Sequence, residues 1–132
     1  MDMSFMLDDT ISEKSVDNNA FINKMSKDEI AFLLKCYKYL MVLGLIKNKV
    51  QFSEQYLGKS KDYMAVIQTT GRIPSINCLH NLINTIEDTI VLYEGKNHTI
   101  ENNINHLIAE GRDFITRRIL KMYDSKKHLF VS

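Results

Sequence analysis

Apolar residues recur at three- and four-residue intervals along most of this chain, and Gly, Pro, Asn or Ser punctuates the gaps, a pattern that predicts helices joined by short turns. Ser26 followed by Glu29 reads as a capping box, so a helix is expected to start there and run to about Ile46. Along it Ile30, Leu33, Leu34, Tyr37, Leu40, Met41, Leu43 and Leu45 occupy nearly every face, as in a helix enclosed by others. Lys47-Asn48-Lys49 closes it with cations where the helix dipole favours them. Phe52 to Leu57 reads as a short second helix stopped by Gly58, and Ser60 as the cap of a third that extends to Gln68. In that third helix Met64 and Ile67 face inward with Val66 beside them, leaving Lys61, Asp62, Tyr63, Ala65 and Gln68 outside. Thr69 to Arg72 form a loop, and Pro74-Ser75 opens a helix with Ile76, Leu79, Leu82, Ile83 and Ile86 on one face. Helix continues or re-enters over Glu87 to Tyr93 and stops at Gly95. After Asn97 a long stripe follows: Ile100, Ile104, Leu107, Ile108, Phe114, Ile115, Ile119 and Met122. Residues 1–18 show no sustained periodicity. The expected organisation is a partly disordered arm over 1–25, a helical domain over 26–95 and an amphipathic helix over 97–127.

Composition agrees with an all-α protein. The 132 residues can bury a sizeable core, and 45% hydrophobic with 25% charged residues is ordinary for a soluble globular chain. A single Pro and five Gly favour helices over a β-sandwich. The formal net charge of +1 argues against a protein that coats nucleic acid non-specifically, because such binding draws on many phosphate contacts. Charge is unevenly spread, however. Between Met1 and Ile30 the acids Asp2, Asp8, Asp9, Glu13, Asp17, Asp28 and Glu29 outnumber Lys14, Lys24 and Lys27. From Lys47 to Arg72 the bases Lys47, Lys49, Lys59, Lys61 and Arg72 meet only Glu54 and Asp62. The start, MDMSFMLDD, lacks a basic region followed by an apolar run, so no secretory signal is expected. Lys35 and Lys38 interrupt the most apolar stretch, where each would cost roughly 2.5–3.5 kcal/mol in a bilayer. The expectation is a cytoplasmic protein without a membrane span, with Cys36 and Cys78 as buried, reduced thiols.

The order Leu57-Gly58, Ser60, Ile67, Gly71, Pro74 resembles the lambda-repressor-like helix-turn-helix family, which includes phage Cro and C1 repressors and many small bacterial regulators. In that family a Leu-Gly pair ends the first helix of the motif, a Ser caps the recognition helix, an Ile anchors it, and a Gly-containing loop leads to a Pro that opens the next helix. Ile67 and Pro74 stand at the family's usual spacing, and Leu79, Leu82 and Ile86 fall where its following helix keeps core residues. Three positions depart from the pattern. Phe52-Ser53 lies one residue farther from Leu57-Gly58 than the usual Leu-Ala pair, Tyr63 is bulky for an early recognition-helix position, and Gln68 replaces the usual Glu. The resemblance implies a five-helix core with a long C-terminal helix, and a sequence-specific transcriptional regulator that lays residues 60–68 in the major groove of double-stranded DNA. It further implies that the outward residues read the DNA, Lys61 at a guanine edge or a phosphate, Gln68 as a bidentate partner of adenine and Tyr63 on a thymine methyl or a phosphate, with Asp62 among them, while Lys59, Ser60, Thr69, Thr70 and Arg72 clamp the backbone. Dimers are common in the family, so the stripe from Ile100 to Met122 is expected to pair with a second copy, the other reading being that it folds onto its own chain.

Other chemistry has little to rest on. His80, His98, His106 and His128 lack HxxxH or HxH spacing, so no metal is expected, and neither a nucleophile elbow nor a Gly-rich phosphate loop accompanies the Ser, His and Asp residues. No catalytic residue and no cofactor is expected. A rival reading is a helical protein-interaction module, such as an adaptor or phage-type inhibitor, that keeps the scaffold without reading DNA. Its partner would meet the acidic N-terminal arm or the C-terminal stripe.

Overall fold

The computed structural model describes the backbone of residues 5–131 and the side chains of residues 24–123. The fold is all-α. Its elements are α1 (Phe5–Val42), α2 (Lys49–Gln51) running directly into a π-helical turn (Phe52–Tyr56), α3 (Tyr63–Thr70), α4 (Ile76–Ile90) followed by a 3₁₀ turn (Val91–Tyr93), and α5 (His98–Val131). No strand occurs among the described residues.

The first helix corrects the expected start at Ser26. Helix α1 begins at Phe5, so Ser26 and Glu29 sit inside it and have no helix terminus to cap. Both make tertiary contacts instead. The Ser26 hydroxyl donates to the Gly71 carbonyl (2.6 Å), and Glu29 pairs with Arg118 (2.7 Å). The arm expected over 1–25 lies, for residues 1–4, outside the described residues; from Phe5 onward the backbone is helical. At its other end α1 stops at Val42, and the turn that follows returns Ile46 to the core.

Helices α1 and α5 run antiparallel. Glu29 meets Arg118, Lys35 meets Glu110 (2.7 Å), and Tyr39 accepts from the Asn103 amide (3.1 Å), a pairing in which one index rises as the other falls. Between them the Phe32 and Phe114 rings lie 5.3 Å apart, a favourable tilted arrangement. Helix α4 packs along α5, and Glu87 pairs with Arg112 across that seam. The shared core includes Leu33, Cys36 and Leu40 of α1, Leu79, Leu82 and Ile86 of α4, and Ile104 of α5, all essentially without solvent contact.

At Gly111 the backbone of α5 lies directly against side chains of α4 and α1. A methyl group there would fall on Ile83 Cδ1 and come within 3.0 Å of Phe32 Cζ. An exposed helical Gly gains up to about 1 kcal/mol on replacement by Ala. At this junction the sign should reverse, and we expect Gly111→Ala to destabilise the protein by about 1–3 kcal/mol through overpacking. Urea unfolding measures this directly, and a raised midpoint would contradict the close approach.

Cys36 and Cys78 are buried and unpaired with each other. Burial raises both thiol pKa values, Cys78 to about 11 and Cys36 further, which disfavours the reactive thiolate. No helix among the described residues is long and apolar enough to cross a membrane.

Candidate nucleic-acid interface

The segment leading to Gly58 is a π-helical turn, in which the Leu57 amide bonds to the Phe52 carbonyl five residues back (3.1 Å). Phe52, Ser53, Tyr56 and Leu57 are all buried as a result. Gly58 then adopts φ +65°, a left-handed conformation that an L side chain resists, and Asn81 of α4 closes over it, its amide donating to the Leu57 carbonyl (3.2 Å).

Helix α3 is held at both ends. At its start the Met64 amide donates to the buried Ser53 hydroxyl (3.1 Å), and the Tyr63 hydroxyl accepts from the Ser75 amide at the head of α4 (3.0 Å). At its finish Gly71, at φ +67°, bonds through its amide to Ile67 (2.9 Å), while its carbonyl takes the Ser26 hydroxyl from α1. Met64 and Ile67 seat the inner face in the core. The helix starts at Tyr63, three residues after the expected cap Ser60, whose carbonyl accepts the Tyr63 amide (3.1 Å), and it ends at Thr70, so Thr69 and Thr70 are helical and not loop.

The outward face is therefore defined. Asp62, Ala65, Val66 and Thr69 follow i, i+3, i+4, i+7 spacing opposite Met64 and Ile67, all four are exposed, and with Thr70 they line a shallow open groove. Val66, assigned beside the core from its apolar side chain, is 44% exposed and belongs to this face. The periodicity alone carries the signal for it, since Val66 lies two residues from Met64 and one from Ile67. Ser60, Lys61, Asp62, Gln68, Thr69, Thr70 and Arg72 are all exposed. Lys61 precedes the helix, Arg72 follows it, and Gln68 lies one residue from the buried Ile67, toward the flank. Tyr63 differs from the outward position expected of it: it is half-buried against the core, with its hydroxyl engaged by Ser75 and the Lys59 ammonium 5.7 Å from its ring centre. Burial pushes the Tyr63 hydroxyl pKa up, the Ser75 amide opposing it. The residues that sequence reasoning missed are the holders of α3: Ser26, Ser53, Ser75 and Asn81. Small polar residues carry no periodic signal that would mark them.

The stripe on α5 is a correction. Ile104, Leu107, Ile108, Phe114 and Ile115 are buried in the chain's own core and Ile100 packs against it, so these residues are not available to a second copy. Only Ile119 and Met122 of the expected dimer face remain exposed, at 48% and 52%, beside exposed Leu120 and Tyr123. The α5 arginines are likewise drawn into their own chain: Arg112 to Glu87, Arg117 to Asp113 and Arg118 to Glu29. Among the described residues no group of three or more His, Cys, Asp or Glu side chains is arranged to hold a metal.

No curated protein and no solved structure matches the chain. A match does exist to a family model, over a span that runs from within α1, through the Gly58 turn, α3 and α4, into α5. Because residues 33–123 match that model, the chain belongs to the family of unknown function DUF6626.

Proposed function

We propose that this protein is a sequence-specific DNA-binding regulator that lays the outer face of α3 in the major groove. The observation that carries the reading is the mounting of α3: buried on Met64 and Ile67, tied down at both ends, and exposing a continuous outer face between Lys61 and Arg72. A rigid helix with a bare face and cations at its ends suits a groove whose walls are phosphates and whose floor carries base-specific edges. Lys59, Lys61 and Arg72 serve as phosphate contacts, Ser60 and Thr70 flank them, and Asp62, Ala65, Val66 and Thr69 meet the bases. Tyr63 acts indirectly, by holding α3 to α4. If two copies bind together, the contact is sought at the exposed residues Ile119, Leu120, Met122 and Tyr123, since the rest of the stripe is occupied.

Selection from a pool of random duplexes, repeated at several salt concentrations, tests this. The expected result is an enriched sequence bound with an affinity that falls steeply with salt, and a salt slope that flattens by about one for Lys61→Ala and again for Arg72→Ala. Failure to enrich any sequence, together with salt-independent binding, would overturn the proposal. Asp62 on the outer face and the near balance of charge favour a second reading, a protein-interaction module using the same helix. Such a module would keep its partner when Lys61 and Arg72 are both neutralised, whereas a regulator would lose its site.

A further inference from the structure

We infer that the outer face of α3 reads thymine through its C5-methyl group, an inference that rests on the DNA-binding reading above and narrows its ligand. The argument starts from what the face has left to offer. Ala65 and Val66 present only aliphatic carbon. Thr69 and Thr70 carry hydroxyls, but each hydroxyl hydrogen is committed within the helix: Thr69 Oγ1 donates to the Ala65 carbonyl (2.9 Å) and Thr70 Oγ1 to the Val66 carbonyl (2.8 Å). A hydroxyl has one hydrogen, so neither side chain can also donate to a base edge. What remains is methyl groups at four of the five positions lining the groove, and a single carboxylate, Asp62, which only accepts when ionised.

Purine edges in the major groove ask for donors. Guanine shows N7 and O6, both acceptors, and adenine is recognised by a side chain that donates to N7 while accepting from N6. The residues that line the groove supply no such donor; the exposed Gln68 amide, which could, stands off this face beside the buried Ile67. Thymine is the base whose major-groove edge carries an apolar group, and apolar side chains are what contact it. Asp62, an acceptor only, suits an exocyclic amine, that of cytosine N4 or adenine N6. The occupant is argued from charge as well as from carbon: Lys61 before the helix and Arg72 after its Gly71 cap bracket the apolar patch with two cations, as a phosphate-walled groove requires.

The test uses the full chain and the duplex enriched from the random pool. Each thymine of the enriched site is replaced in turn by deoxyuridine, which removes the methyl and leaves Watson–Crick pairing intact. Loss of one buried methyl is expected to weaken binding about fourfold at one or more positions. Val66→Ala, on an exposed position, should bind the thymine duplex several-fold more weakly and lose its discrimination against deoxyuridine at one position, with helical circular dichroism unchanged. Sequence-selective, salt-dependent binding that is indifferent to deoxyuridine at every position would overturn the methyl readout while leaving the DNA-binding reading intact. An enriched site without thymine in its core would do the same. Enrichment of no sequence at all would overturn both, and the apolar face would then belong to a protein partner.

Discussion

Replacing Arg118 by Ala is expected to lower the free energy of unfolding by about 3–5 kcal/mol at neutral pH, because it strands a buried carboxylate. Glu29 is fully buried, one of its oxygens takes the Arg118 guanidinium at 2.7 Å, and the other has no hydrogen-bond partner among the described residues. Desolvation by burial is the largest influence on the carboxyl and raises its pKa above the ordinary 4.5, with the Arg118 charge and hydrogen bond opposing it. An acid whose pKa is raised by folding binds more protons in the native state. It therefore contributes stability that is present below the unfolded pKa and is lost as pH rises through the folded pKa. Two consequences can be measured by urea unfolding across pH. Wild type should lose stability relative to Glu29→Gln as pH climbs from below 4.5 toward neutrality. The Arg118→Ala penalty should shrink on acidification, since a protonated Glu29 no longer needs the cation. A penalty below about 1 kcal/mol, flat with pH, would mean that the pair does not join α1 to α5 in the way described. For a chain whose total stability is on the order of 5–15 kcal/mol, the expected loss is a large share.

Phe52→Ala should cost about 3–5 kcal/mol, the loss typical of an aromatic side chain removed from a core. Phe52 has no solvent contact, its ring lies 5.5 Å from that of Tyr37 and 6.2 Å from that of Tyr56, and its carbonyl closes the π-helical turn. Tyr56 in turn is fixed by its hydroxyl: Thr89 spends its hydrogen on the Thr85 carbonyl (2.9 Å), so Tyr56 donates to Thr89 Oγ1 (3.0 Å). The turn thus holds a layer that locks α2 to α1 and α4. Because Ser53 sits beside Phe52 and accepts the Met64 amide, loosening this layer should also free the start of α3. Hydrogen exchange at Met64 should then accelerate well beyond that expected from global destabilisation. An α3 that stays protected while the midpoint falls would separate the packing of Phe52 from the mounting of the helix.

The fold was largely legible, and the reasons are local. Helices α3 and α4 follow from Met64, Ile67, Leu79, Leu82, Ile83 and Ile86 at helical spacing, and the turns between them follow from Gly58, Gly71 and Pro74. The Leu57-Gly58 stop and the Ser75 start hold because backbone conformation and capping are decided within a few residues: Ser75 accepts the Cys78 amide at 3.1 Å. The Ser26-Glu29 pair failed as a start signal for the opposite reason. A hydroxyl and a carboxylate three residues apart can satisfy a helix terminus or a distant partner equally well, and here Gly71 and Arg118 take them. Helix α3 was legible as an element but not in its facing. Tyr63 and Val66 exchange roles relative to expectation, because on an eight-residue helix a half-turn is only two residues, and residue type outweighed position in the assignment.

Sequence alone determined the all-helical class, the stops at Gly58 and Gly71 and the inward face of α4, since these rest on periodicity and on the conformational limits of Gly and Pro. Tertiary structure decided what each apolar stripe covers. Hydrophobic attraction has no direction and names no partner, so the stripe from Ile100 to Met122 suited a second copy and its own core alike. The antiparallel return of α5 along α1 resolved it, with Gly111 permitting the close approach and Glu29–Arg118 joining the two helices. Side-chain donors followed the same logic. That Thr69 and Thr70 give their hydroxyl hydrogens back to α3, leaving a methyl-lined outer face, depends on rotamers that composition does not specify.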